Sequence, residues 1–212
     1  HTGGTVASRV DYRTGAVSPQ FSPEDIAKKF PTLNGIANIK SRLISTILSS
    51  NMRFHNYNKI AQEVEKELKN GTKGIIITHG TDTLHYTAAA LSFILENVPI
   101  PIILVGSQRS SDRPSTDSSL NLIHAARFIK ETEFVGVGIC MHATINDDYS
   151  YILPACKTRK MHTSRRDAFK AINTSPIAQI GEKIVFIEKQ KEKPKEKFQR
   201  KPIKETIKIG IV

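Results

Sequence analysis

Three short apolar runs separated by helical patterns constrain this chain more than any other feature. They are Gly74-Ile75-Ile76-Ile77-Thr78, Ile100 to Val105 and Phe134 to Met141. A continuous apolar run of this length, without alternation, reads as a strand buried on both faces, and such strands occur in parallel sheets covered by helices. Between the runs the period changes to that of a helix. Tyr57 to Asn70 sets Ile60, Ala61, Val64 and Leu68 on one stripe, with Gly71 as a stop. Thr83 to Asn97 does the same with Leu84, Ala88, Leu91 and Leu95, and Leu120 to Lys130 is helical again. Nearer the start, Ser22-Pro23-Glu24-Asp25 carries the signals of a helix N-terminus, a capping serine, a proline in the first turn and two acids. The expectation is an α/β fold with a doubly wound parallel sheet, three layers deep, joined by right-handed crossovers. In such sheets ligands bind at the carboxyl ends of the strands. That rule selects His79-Gly80-Thr81-Asp82, Gly106-Ser107-Gln108-Arg109 and the segment after Met141.

A chain of 212 residues can bury a proper core, as one domain or one domain and part of another. Its longest apolar run, Val98 to Val105, contains Pro99 and Pro101 and is far shorter than the roughly 20 residues a membrane helix needs. Cys140 and Cys156 are the only cysteines, which suits a reducing compartment, and the expectation is a cytoplasmic protein with no membrane association. A formal charge of +11 makes an acidic partner such as RNA plausible. Much of that excess nevertheless sits in one stretch rich in lysine and glutamate, Glu188 to Glu205, which reads as a mobile linker or an exposed connection. The closing Ile207 to Val212 has the pattern of a strand beginning a further domain.

Candidate chemistry lies in the loops. Thr2-Gly3-Gly4-Thr5 can turn tightly and approach a ligand because glycine tolerates positive φ. Threonine is a weak nucleophile that needs a base or a charged neighbour, so Thr5 is a candidate only with help, and Tyr12 is close enough in sequence to fold over it. In Thr78-His79-Gly80-Thr81-Asp82-Thr83, Thr81 and Asp82 could cap the following helix or face an anion. Lys160, in Arg159-Lys160-Met161-His162, is a potential partner for Asp82, since a desolvated lysine can accept a proton. Taken alone, it reads better as a member of a solvated basic segment with Lys157, Arg159, Arg165 and Arg166. The glycine spacing fits neither a dinucleotide nor a P-loop fingerprint, and neither the histidines nor the cysteines have paired-ligand spacing, so no bound nucleotide and no metal are expected.

Thr2-Gly3-Gly4-Thr5-Val6-Ala7, His79-Gly80-Thr81-Asp82-Thr83 and Val105-Gly106-Ser107-Gln108-Arg109, in this order and separation, resemble the type I/II L-asparaginase family of amidohydrolases. More narrowly, Val10 to Val17, Gly106 to Pro114 and Lys160 to Phe169 resemble the D-type subunit of archaeal-type glutamyl-tRNA(Gln) amidotransferases. The resemblance extends from Thr2 to about Ile187. It implies an asparaginase-like domain over residues 1–187, a basic linker over 188–206 and the start of a C-terminal domain at 207–212. It also implies that the family's first strand and second domain are missing from these residues.

By the same resemblance, Thr5 matches the primary nucleophile and Tyr12 the tyrosine that closes over it. Thr81, Asp82 and Lys160 match the second threonine and the acid and lysine coupled to it. Asp82 would also hold the substrate α-ammonium, and Ser50 the α-carboxylate. The activity implied is hydrolysis of the side-chain amide of glutamine or asparagine, with ammonia passed to a partner subunit that converts Glu-tRNA(Gln) to Gln-tRNA(Gln). ATP and magnesium would belong to that kinase and transamidase partner, tRNA(Gln) would be met through the complex, and the chain would form a homodimer. Two alternatives stand beside this reading, a free-standing cytoplasmic asparaginase and a non-catalytic binding or assembly module.

Overall fold

The computed structural model describes residues 1–4, 6, 8–10, 13, 17–19, 28, 30–189 and 192–206. The helix start expected at Ser22 and the strand-like run from Ile207 lie outside them. Two three-residue strands, β1 (Ser8–Val10) and β2 (Val17–Pro19), pair antiparallel ahead of a short helix, α1 (Thr32–Ile36). Helix α2 (Phe54–Lys69) opens where the Arg53 N–H donates to Asn56 Oδ1 at 2.8 Å. It buries Ile60, Ala61 and Val64, half-buries Leu68, and is followed by Gly71 at φ +76°. The left-handed backbone at that glycine stops the helix without the strain a side chain would add.

Next come β3 (Ile75–Thr78), α3 (Leu84–Ile94), the two-residue β4 (Leu95–Glu96), β5 (Pro101–Val105), α4 (Ser118–Glu131) and β6 (Gly136–His142). β3, β5 and β6 are parallel, with Ile77 opposite Leu104 and Leu104 opposite Ile139. Every residue of β5 is buried, as a strand between two parallel neighbours and two helical layers must be. Its side chains alternate between two cores. Ile102 and Leu104 face the cluster built by α2 and α3, while Ile103 and Val105 face the one built by α1 and α4. These are the three layers the sequence predicts.

The remaining strands depart from a purely parallel sheet. β7 (Ser150–Pro154) runs antiparallel to β6, followed by the hairpin of β8 (Thr158–Lys160) and β9 (Phe169–Ala171), and then by β10 (Ala178–Ile180) and β11 (Ile184–Phe186). The six-stranded sheet has the order β11-β10-β7-β6-β5-β3, and its β7, β10 and β11 pairings are antiparallel. The reason lies in the connection. Residues 143–149 are too few for the crossover of a dozen or more residues that a parallel pair requires, so the chain must turn back.

The lysine- and glutamate-rich stretch is exposed over most of its described length, yet it is tied to the domain near its end. β12 (Gln199–Arg200) pairs with β4, Arg200 meets Glu65 in an ion pair, and the Lys201 N–H donates to Ile94 O at 2.8 Å. Asn58 and the Ile203 backbone exchange two hydrogen bonds, of 2.8 and 2.9 Å, and Phe198 and Ile203 rest on the core. Among the described residues, no helix is long and apolar enough to cross a membrane.

Candidate active site

Three connections converge at the carboxyl end of β3. The first is the N-terminal loop, where the Thr2 N–H and hydroxyl both donate to Thr78 O, at 3.2 and 2.8 Å. Gly3 and Gly4 follow at φ +101° and +82°. A Cβ on Gly4 would stand 2.4 Å from the Gly80 nitrogen, so the two loops meet backbone against backbone. Gly80 is equally confined on its other side, where a Cβ would lie 2.7 Å from both Cβ and Oγ of Ser49. Ser49 belongs to the single turn Ser49–Asn51, anchored by the Thr83 hydroxyl donating to Ser49 O at 2.7 Å. The absence of side chains on these glycines lets three pieces of main chain share one spot.

The second connection supplies Thr81 and Asp82. Thr81 is buried, and Asp82 is exposed. Beneath them the His79 ring lies between Gly80 O, at 2.7 Å from Nδ1, and Thr87 Oγ1, at 2.9 Å from Nε2. Burial pushes the His79 imidazole down to about 4, so it is neutral. The carbonyl at Nδ1 can only accept, which assigns the ring proton to Nδ1 and makes the Thr87 hydroxyl the donor to Nε2. The Gly80 carbonyl is thereby fixed under the site.

The third connection brings Lys160. It ends β8 at the mouth of the hairpin, whose tip is closed by the Met161 N–H donating to Ala168 O at 2.7 Å. Lys160 Nζ lies 2.8 Å from Thr81 Oγ1 and 2.9 Å from Asp82 Oδ1, with its side chain 9% exposed. The pairing named from sequence between Lys160 and Asp82 is thus a direct contact, and Thr81 shares it.

The loop after β5 closes over this group. Gly106 passes so near Thr81 that a Cβ would come within 2.9 Å of its methyl carbon. Asp117, fully buried, accepts from the Ser107 hydroxyl and from the Gln108 and Arg109 N–H groups at 2.8 to 3.1 Å. Sequence reasoning missed Asp117. Its signal, an acid just before a helix, reads as a cap, whereas its carboxylate is turned back onto the preceding loop. Gln108, quoted in the motif without a role, reaches Thr81 Oγ1 at 3.2 Å.

Of the other expected site residues, Ser50 is exposed on the Ser49–Asn51 turn, one residue from the serine that abuts Gly80. Thr5 and Tyr12 lie outside the described residues. The described site therefore consists of a lysine in contact with both a threonine and a carboxylate, at the strand ends where ligands bind in α/β sheets.

The family model described as "Asparaginase, N-terminal" matches residues 1–192. The D-type subunit of the glutamyl-tRNA(Gln) amidotransferase of Methanosarcina mazei is 52% identical over 191 residues, which is 88% of this chain and 44% of that protein. Its counterpart in Archaeoglobus fulgidus is 50% identical over 188 residues, again 88% and 44%. The chain thus spans less than half the length of these relatives. Among solved structures, the thermostable L-asparaginase of Thermococcus kodakarensis superposes with a TM-score of 0.79 at 30% identity, over 95% of this chain and 58% of that one. A probable cytoplasmic L-asparaginase of Campylobacter jejuni gives 0.77 at 27% identity, over 95% and 60%. With nine-tenths of its residues matched by the family model and the same three-layer fold, the chain belongs to the asparaginase family, of which it carries the N-terminal part.

Proposed function

We propose that this chain carries the amide-hydrolysing site of a glutamyl-tRNA(Gln) amidotransferase, releasing ammonia from the side chain of glutamine or asparagine. One observation carries the reading: Lys160 Nζ stands within hydrogen-bond reach of both Thr81 and Asp82, on the loop whose Gly80 main chain packs against that of Gly4. The names of the amidotransferase relatives support the assignment to a transamidating complex.

In this mechanism the Thr5 hydroxyl, once deprotonated, attacks the carboxamide carbon. The tetrahedral intermediate expels ammonia and leaves an acyl ester on Thr5, and water cleaves that ester to give glutamate or aspartate. Backbone N–H groups near Thr5 and Thr81 hold the oxyanion, an effect worth roughly 3 to 4 kcal/mol per donor in enzymes where it has been measured. Tyr12 closes over Thr5. Thr81 and Lys160 manage the protons, Asp82 holds the lysine and the substrate α-ammonium, and Ser50 binds the α-carboxylate. The ammonia passes to a partner subunit that uses ATP and magnesium on Glu-tRNA(Gln), and two copies of this protein form a dimer.

The test is ammonia release from glutamine and from asparagine by the natural full-length protein, with and without its partner subunit and tRNA. Thr5→Ala and Lys160→Met should each lower the rate by about a thousandfold or more. Unchanged release by Thr5→Ala would overturn the enzyme reading in favour of an assembly module. Full activity without partner or tRNA would point to a free-standing asparaginase.

A further inference from the structure

The side-chain amide of Gln108 joins two parts of the site. Its Nε2 lies 2.9 Å from the carbonyl oxygen of Arg165, in the β8–β9 hairpin tip, and its Oε1 lies 3.2 Å from Thr81 Oγ1. A carbonyl oxygen only accepts, so the NH2 end of the amide must face Arg165 and the oxygen end must face Thr81. The opposite orientation would set two oxygens against each other. The consequence passes along the chain. An amide oxygen cannot donate, so the single hydroxyl proton of Thr81 points at Gln108. Thr81 Oγ1 then has only lone pairs to offer Lys160, 2.8 Å away, and Lys160 must be the donor there, as it is to Asp82 at 2.9 Å.

Gln108 is well held for such a role. Its backbone N–H is fixed by the buried carboxylate of Asp117. The carbonyl that orients its amide belongs to a turn closed by the Ala168 N–H and by the Arg165–Asp167 ion pair. The tip is stapled to the same loop a second time, by Arg166 on the Ser115 carbonyl.

We propose that Gln108 is a positioning residue that sets the direction of the Lys160, Thr81 and Gln108 hydrogen-bond chain and holds the Thr81 hydroxyl in a resting orientation, turned away from Lys160. A proton can pass from Thr81 to an uncharged Lys160 only after the hydroxyl swings off Gln108. The inference rests on the amidohydrolase reading above. The other charged or titratable groups near Lys160 are the Asp82 carboxylate and His85 on α3, whose imidazole is pushed down to about 4 by burial and then by the charges of Arg159 and Lys160.

The experiment is the pH profile of ammonia release in the full-length protein carrying Gln108→Met or Gln108→Glu, with thermal melts to verify folding. Gln108→Met removes the acceptor, frees the hydroxyl to donate to an uncharged Lys160, and should move the acidic limb to lower pH by about half a unit or more. Gln108→Glu keeps an acceptor and adds a negative charge beside Lys160, so the limb should move to higher pH. A merely structural role would not separate the two variants in opposite directions. Limbs that stay at the native position, or move the same way, overturn the inference. Thr81→Val and Lys160→Met are measured alongside. If these retain native ammonia release, the amidohydrolase reading itself fails; if they are silenced while the Gln108 limbs do not diverge, only the role of Gln108 is lost.

Discussion

Gly80 shows how a single residue can be constrained from several sides. It lies between the Gly4 main chain and Ser49, and a methyl group there would sit 2.7 Å from Ser49 Cβ and Oγ. Gly80→Ala must push the Ser49–Asn51 turn away, which also drags on the Thr83 bond to Ser49 O. The expected cost is about 1 to 3 kcal/mol in urea denaturation, typical of overpacking, with at least a tenfold fall in ammonia release. Gly80 was legible from sequence as part of a loop at a strand end. Its neighbours were not, because Ser49 is 31 positions away and nothing local announces the contact. Asp117 and Gln108 were hidden for the same reason, since their partners are chosen by the packing of loops rather than by spacing along one element.

At the scale of elements, β5 does most to hold the layers together. Leu104 is fully buried between β3 and β6 and packs into the core under α2 and α3. Leu104→Ala should cost about 2 to 5 kcal/mol of unfolding free energy, read as a lower urea midpoint. Val185 on β11, exposed, should tolerate alanine within about 0.5 kcal/mol. The parallel strands and their helices were legible because burial on both faces leaves a continuous apolar run, and helices leave a stripe. β7 to β11 were not read from the sequence. They are three to five residues long, partly exposed, and paired antiparallel through short returns, so none leaves a run long enough to separate from loop. β12 is two residues inside a charged segment, and only its partner β4 makes it a strand.

Across the whole molecule, buried imidazoles make stability depend on pH. His79, His85 and His124 are all pushed from 6.5 to about 4, chiefly by burial. In the unfolded chain they titrate near 6.5, so between 6.5 and 4 the unfolded state binds more protons than the folded one. Their contribution is complete above the unfolded value and is lost as pH falls toward the folded one. The urea midpoint should therefore drop between about pH 7 and about pH 4.5, and His79→Gln should flatten part of that slope. An equal slope in the variant would remove His79 from the account.

The sequence by itself determined the α/β class, the parallel half of the sheet and the loops at its strand ends, because these follow from local periodicity and from glycines where the chain must turn. It also supplied the motifs on which the family resemblance rests, and it named Lys160 and Asp82 as a potential pair. The tertiary structure alone decided that Lys160 arrives on a hairpin and touches Thr81 as well as Asp82, that Asp117 ties down the loop over them, and that an amide oriented by the Arg165 carbonyl fixes which way the hydroxyl points. Those outcomes depend on contacts between residues 8 to 79 positions apart, and on the rule that each buried donor must find an acceptor. No pattern within one helix or strand encodes them.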